Sequence, residues 1–158
     1  MKKISILLFL VFSLICCKKA EEEQVVLHES DKTVSQESTL DLQSFKDFPK
    51  EIDGAGCFFS VDKKNLENEK YIYVDNLDSI CFIKVKGNFI RLQLVEKTVD
   101  STFKHYSQKF KNDEFELSIN FKETGEDDDE SAIIEGSMSV KHKNEPEVKQ
   151  DLYGVCGC

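Results

Sequence analysis

Phe115-Glu116-Leu117-Ser118-Ile119-Asn120-Phe121-Lys122 alternates apolar and polar residues without a fault. Successive side chains of a β-strand point to opposite faces, so this period of two predicts a strand with one face on a core and the other in water. The pattern extends in both directions. Upstream, Ile90, Leu92 and Leu94 alternate with Arg91 and Gln93, then slip by one at Val95-Glu96. Downstream, Ile134, Met138 and Val140 alternate with Glu135, Ser137, Ser139 and Lys141. Lys70 to Val74 and Cys81 to Lys86 are rich in the Tyr, Ile, Val and Phe that strands favour. Gly87-Asn88, Asn112-Asp113 and Asn144-Glu145-Pro146-Glu147 are turn signals between them. No long amphipathic helix interrupts the series. The reading is all-β: seven or eight antiparallel strands from Glu51 to Cys158, each with one buried face. Such a meander hides its edges by closing as a small barrel or pairing as a sandwich. Ahead of it, Leu42, Phe45 and Phe48 recur at a spacing of three before Pro49, which predicts one or two helical turns laid on the side of the domain.

The chain has 158 residues, 40% of them hydrophobic, enough for a single β-rich domain over residues 40–158. Its formal charge is −9. Arg91 is the only arginine, and without clustered cations to displace counterions the chain does not bind nucleic acid. Catalytic signatures are absent too: no Gly-x-Ser-x-Gly, no His-Glu-x-x-His, no phosphate-cradling Gly-x-x-x-x-Gly-Lys. His28, His105 and His142 fall in polar surroundings, and the reading is of a protein that is not an enzyme. The aromatic residues Phe58, Phe59, Tyr71, Tyr73, Phe82 and Phe89 are expected in the core, although a lined cavity would use the same ones.

The N-terminus is a targeting segment. Met1-Lys2-Lys3 is a positive start, Ile4 to Ile15 is uncharged and too short for the ~20 residues of a membrane span, and Leu14-Ile15-Cys16-Cys17 comes next. These residues resemble the lipobox of bacterial lipoprotein precursors. That resemblance implies a signal peptide over 1–16, cleavage before Cys17, and a diacylglycerol thioether plus an N-acyl chain on Cys17. Cys16 is the alternative anchor. Cleavage before Cys17 leaves the even set Cys57, Cys81, Cys156 and Cys158, and it places Leu14 at the position three residues before the cut. Cys17-Lys18-Lys19-Ala20-Glu21-Glu22-Glu23 is similar to the lysine-then-acidic export signal of Bacteroidota lipoproteins, which implies an outer-membrane, surface-exposed location in the cell envelope. Residues 17–39 read as the lipidated cysteine and a flexible, disordered tether, because so polar a stretch cannot offset its ordering entropy. Loss of Lys2 and Lys3 with the signal takes the charge from −9 to −11.

The four remaining cysteines are disulfide or metal candidates. Cys57 opens the domain, Cys156-Gly157-Cys158 closes it, and Cys81 lies on the inner side of its strand. Structural disulfides suit an oxidising envelope and would staple the C-terminus to the sheet. Two alternatives use the same residues, a four-thiolate zinc site and a reactive dithiol at Cys156 and Cys158. Gly125 to Glu130 reads as a solvated acidic hairpin loop. Asp127, Asp128, Asp129 and Glu130 are weak metal candidates there, because Ala132 and Met138 stand where a calcium loop needs glycine and glutamate. No cofactor other than the acyl lipid is expected. The expected partners are the bilayer, through the anchor, and a protein, glycan or small apolar ligand. Three functions fit: a non-enzymatic binding or structural lipoprotein, an envelope redox or metal-handling protein, and an acidic inhibitor of a basic host enzyme such as lysozyme.

Overall fold

The structure, a computed structural model, describes residues 40–128 and 130–157. The signal peptide and tether, with Cys16 and Cys17, lie outside the described residues, as do Asp129 and Cys158. The elements in order are β1 (Leu42–Gln43), β2 (Gly56–Ser60), α1 (Lys63–Glu67), β3 (Tyr73–Asp75), β4 (Ile80–Val85), β5 (Asn88–Val99), β6 (His105–Lys111), β7 (Phe115–Asp128), β8 (Ser131–His142) and β9 (Val148–Gly157). From β2 to β9 each strand pairs antiparallel with its successor, and β9 returns to pair with β2. The result is a closed eight-stranded up-and-down barrel with β1 added on β4, so the barrel is the outcome and not the sandwich.

The alternation read from the sequence is what fills the barrel. Leu92, Leu117, Ile119, Met138 and Val140 are fully buried, packed with Phe59, Tyr73 and Ile83. The phase slip at Val95 is a β-bulge between Leu94 and Glu96, one extra residue that leaves Val95 facing solvent. The β4–β5 turn sits one residue earlier than expected, at Lys86-Gly87. Both have positive φ, 49° and 84°, the conformation a tight hairpin needs to match strand twist.

Three expectations are corrected. Residues 40–48 form no helical turn. β3 pairs with β4 only at Cys81 and Phe82, which leaves the backbone of Lys84 and Val85 open on that side, and β1 fills it with Leu42 opposite Val85. Phe45 and Tyr71 then exchange backbone hydrogen bonds of 2.7 and 2.9 Å. Second, β2, β3 and β4 are buried on both faces. The strap around β1 drops Phe45 and Ile52 onto Val74, Ile80 and Phe82, making a second apolar cluster with Phe58 and Tyr71 at its margin. Third, Gly125 to Asp128 is not a loop but the end of β7, bulged twice against β8. The sequence reading also passed over α1, a single short helix. The Asp62 side chain caps it by accepting the Asn65 N–H at 2.7 Å.

Candidate functional site

Strands that alternate in direction place the β3–β4, β5–β6 and β7–β8 turns at one end of the barrel, and the β4–β5, β6–β7 and β8–β9 turns with α1 at the other. The chain enters at the α1 end, where Leu42 meets the last residue of β4.

The closing seam is covalent. Cys57 on β2 and Cys156 on β9 lie directly opposite in register, with Cα atoms 4.1 Å apart, and form a disulfide across 99 residues of sequence. Tying β2, the first strand of the barrel, to β9 closes a 99-residue loop in the unfolded chain, worth about 4 to 5 kcal/mol in the chain-entropy model. Cys81, the other candidate for a staple, carries no disulfide: it is a free thiol at 0% exposure. Its place is two strands along from Cys57, opposite Asp75. A zinc site on four thiolates, or a dithiol at the C-terminus, would first need the Cys57–Cys156 bond reduced. Among the described residues no group of three or more His, Cys, Asp or Glu side chains is disposed to hold a metal, and Asp127 and Glu130 belong to no such group.

Beside the disulfide lies a buried polar knot. Asp75, 2% exposed, accepts at Oδ1 from the backbone N–H of Cys57 (3.2 Å) and of Leu77 (2.8 Å), and at Oδ2 from the Tyr73 hydroxyl (2.8 Å). Burial raises its carboxyl above the ordinary range against the pull of those donors. Burial likewise pushes the Tyr73 hydroxyl and the Cys81 thiol well up, and the Asp75 charge adds to both. Cys81 is therefore protonated and a poor nucleophile.

Among the described residues an open groove of about 900 Å³ runs across the barrel strands. Cross-strand register sets its floor: Val99 faces Tyr106, Tyr106 faces Phe121, Phe121 faces Gly136 and Gly136 faces Leu152. Val61 continues the wall beyond β9. Tyr106 stacks on Phe121 with ring centroids 5.0 Å apart, and its hydroxyl donates to the Phe103 carbonyl at 2.7 Å. At Gly136 the row has no side chain. A Cβ there would stand 2.2 Å from the Asn120 carbonyl oxygen, so only glycine allows this close approach of strands. Charged groups sit on the rim: Lys122 opposite both His105 and Glu135, and Asp100 with its carboxylate 3.1 Å from His105 Nδ1. The Thr102 hydroxyl and the His105 backbone N–H hold Asp100 well below the usual carboxylate range. His142, the other strand histidine, stacks on Phe115 and pairs with Glu145 away from the groove.

A second cavity, about 200 Å³, lies on the other side of the Tyr106–Phe121 pair. Its walls include Leu77, Ile134, the Cys57–Cys156 disulfide and Gln108. Of the aromatic residues expected in the core, Phe59, Tyr73 and Phe82 are buried, whereas Phe58 and Tyr71 lie at the margin under the strap and Phe89 is 38% exposed. None of these six lines either cavity. The sequence reading missed the groove. The signals were Gly136 in an inward slot between Ile134 and Met138, and Gln108 in one between Tyr106 and Phe110. No protein-family model, curated protein or solved structure matches the chain.

Proposed function

We propose that the chain is a lipid-anchored envelope protein whose disulfide-closed barrel is a binding domain for a small apolar or amphipathic ligand, not an enzyme. The observation that carries this reading is the groove. Its volume of about 900 Å³ lies within the range of small-molecule sites, and its floor of Val99, Tyr106, Phe121 and Leu152 is apolar with charges kept to the rim. The lipobox-like Leu14-Ile15-Cys16-Cys17 supports the anchor, and an envelope disulfide is in keeping with it.

The test is a fluorescence titration of full-length protein in nanodiscs with the neutral apolar dye N-phenyl-1-naphthylamine, against empty nanodiscs. Saturable binding is expected. Val99 is partly exposed and its substitution leaves the core intact, so Val99→Glu is expected to weaken binding about tenfold by placing a charge in the apolar wall. Dye binding equal to empty nanodiscs, or indifferent to Val99→Glu, contradicts the reading.

A further inference from the structure

Gln108 lies on the inner face of β6 and is 4% exposed, yet its Oε1 is the one buried side-chain nitrogen or oxygen among the described residues that has no hydrogen-bond partner. It lines the cavity of about 200 Å³ behind Tyr106 and Phe121. A polar group is kept in such a place only if something pairs with it. Water alone is a poor match. A water takes up about 30 Å³ and needs two to four polar partners, whereas this space is several times larger and walled mainly by Leu77, Ile134, Phe121 and the disulfide. An apolar body carrying one polar group fits both the volume and the walls.

From this geometry we infer that the cavity is a subsite for the hydroxyl of a neutral alcohol, with Gln108 as its hydrogen-bonding residue. The amide presents an acceptor at Oε1 and, after rotation about its last bond, a donor at Nε2, and a hydroxyl satisfies either. A charged head is disfavoured. Glu123 and Lys97 face the cavity with opposite charges, and the oxygens of nearby Asp75 are already taken by Cys57, Leu77 and Tyr73. The inference rests on the reading of the barrel as a ligand-binding domain and sharpens it. The head of the alcohol is held at Gln108, and its apolar remainder lies against Leu77, Ile134 and the disulfide.

The experiment is methyl NMR of the full-length protein in nanodiscs, titrated with benzyl alcohol and, separately, with toluene at matched aqueous concentration. Ile134 and Leu77 methyls report the cavity, and Val99 and Val61 methyls report the groove. Benzyl alcohol is expected to shift the cavity methyls saturably and to bind about tenfold more tightly than toluene, the worth of one neutral hydrogen bond. Gln108→Leu is expected to remove that tenfold preference while leaving toluene binding intact. If Gln108→Leu does not fold, the alcohol-to-toluene ratio in the unsubstituted protein decides by itself. Equal binding of the two, or no shift of the cavity methyls because only water enters, overturns the subsite. Shifts at Val99 and Val61 with none at Ile134 would overturn the subsite and leave the groove standing, and no shift at either would remove both.

Discussion

Among the described residues Asp75 is the one charged side chain in the core, and its titration separates it from the carboxylates on the surface. Its folded pKa is raised, so the folded state holds the proton more tightly than the unfolded chain does. Its contribution to stability is greatest below about pH 4 and falls as pH rises through the raised value. Asp62, Asp100 and Glu114, held low by donors around them, act in the opposite sense: what they contribute is present above the ordinary range and lost as pH falls. Asp75→Asn keeps the shape and one acceptor, so it is expected to flatten the decline above about pH 4 and leave the acid limb unchanged, measured as urea midpoints across the range. Cys81 gives a second prediction at this scale. As a buried, protonated thiol it is expected to resist iodoacetamide in the native protein and to react once denatured, read by peptide mapping. Its inward placement was legible from the alternation with Ile83 and Val85. Its lack of a partner was not, because pairing depends on which strands become neighbours, and the β2–β9 closure that joins Cys57 to Cys156 leaves no clue in local sequence.

At the scale of elements, period two identified the strands whose outer faces meet water, β5 and β7 above all, and the slip at Val95 located a true bulge. It was less informative for β2 to β4, whose apolar runs are buried on both faces by the strap. The strap itself misled the reading. A spacing of three in Leu42, Phe45 and Phe48 matches a helix, yet the open edge of β4 drew the segment into a strand, with Leu42 turned toward the inner core and Phe45 toward the outer cluster. The groove depends on an absent side chain. Gly136→Ala would set a Cβ 2.2 Å from the Asn120 oxygen and 2.7 Å from the Phe121 Cα, both backbone, and is expected to cost about 1 to 3 kcal/mol in urea unfolding. Gly125→Ala is the control. Its Cβ would meet nothing nearer than 3.7 Å, so a change within about 0.5 kcal/mol is expected.

At the scale of the molecule, the barrel is a meander whose final act is to join its last strand to its first, and the disulfide sits at that join. The Cys57→Ala/Cys156→Ala double variant is expected to lose about 4 to 5 kcal/mol, a large share of the 5 to 15 kcal/mol typical of a domain, seen as a lower urea midpoint. The same seam forms a wall of the cavity at Gln108, so the staple and the proposed subsite are built on shared residues. The proposed molecule is an anchored, disulfide-closed barrel that carries a ligand. Native intact-mass spectrometry of the protein taken from its own membranes tests it most directly. The expected species begins at Cys17, carries diacylglycerol and an N-acyl chain, has the Cys57–Cys156 bond intact, and retains a small non-covalent ligand lost on activation. A chain that still begins at Met1, bears no lipid and shows no ligand would contradict it.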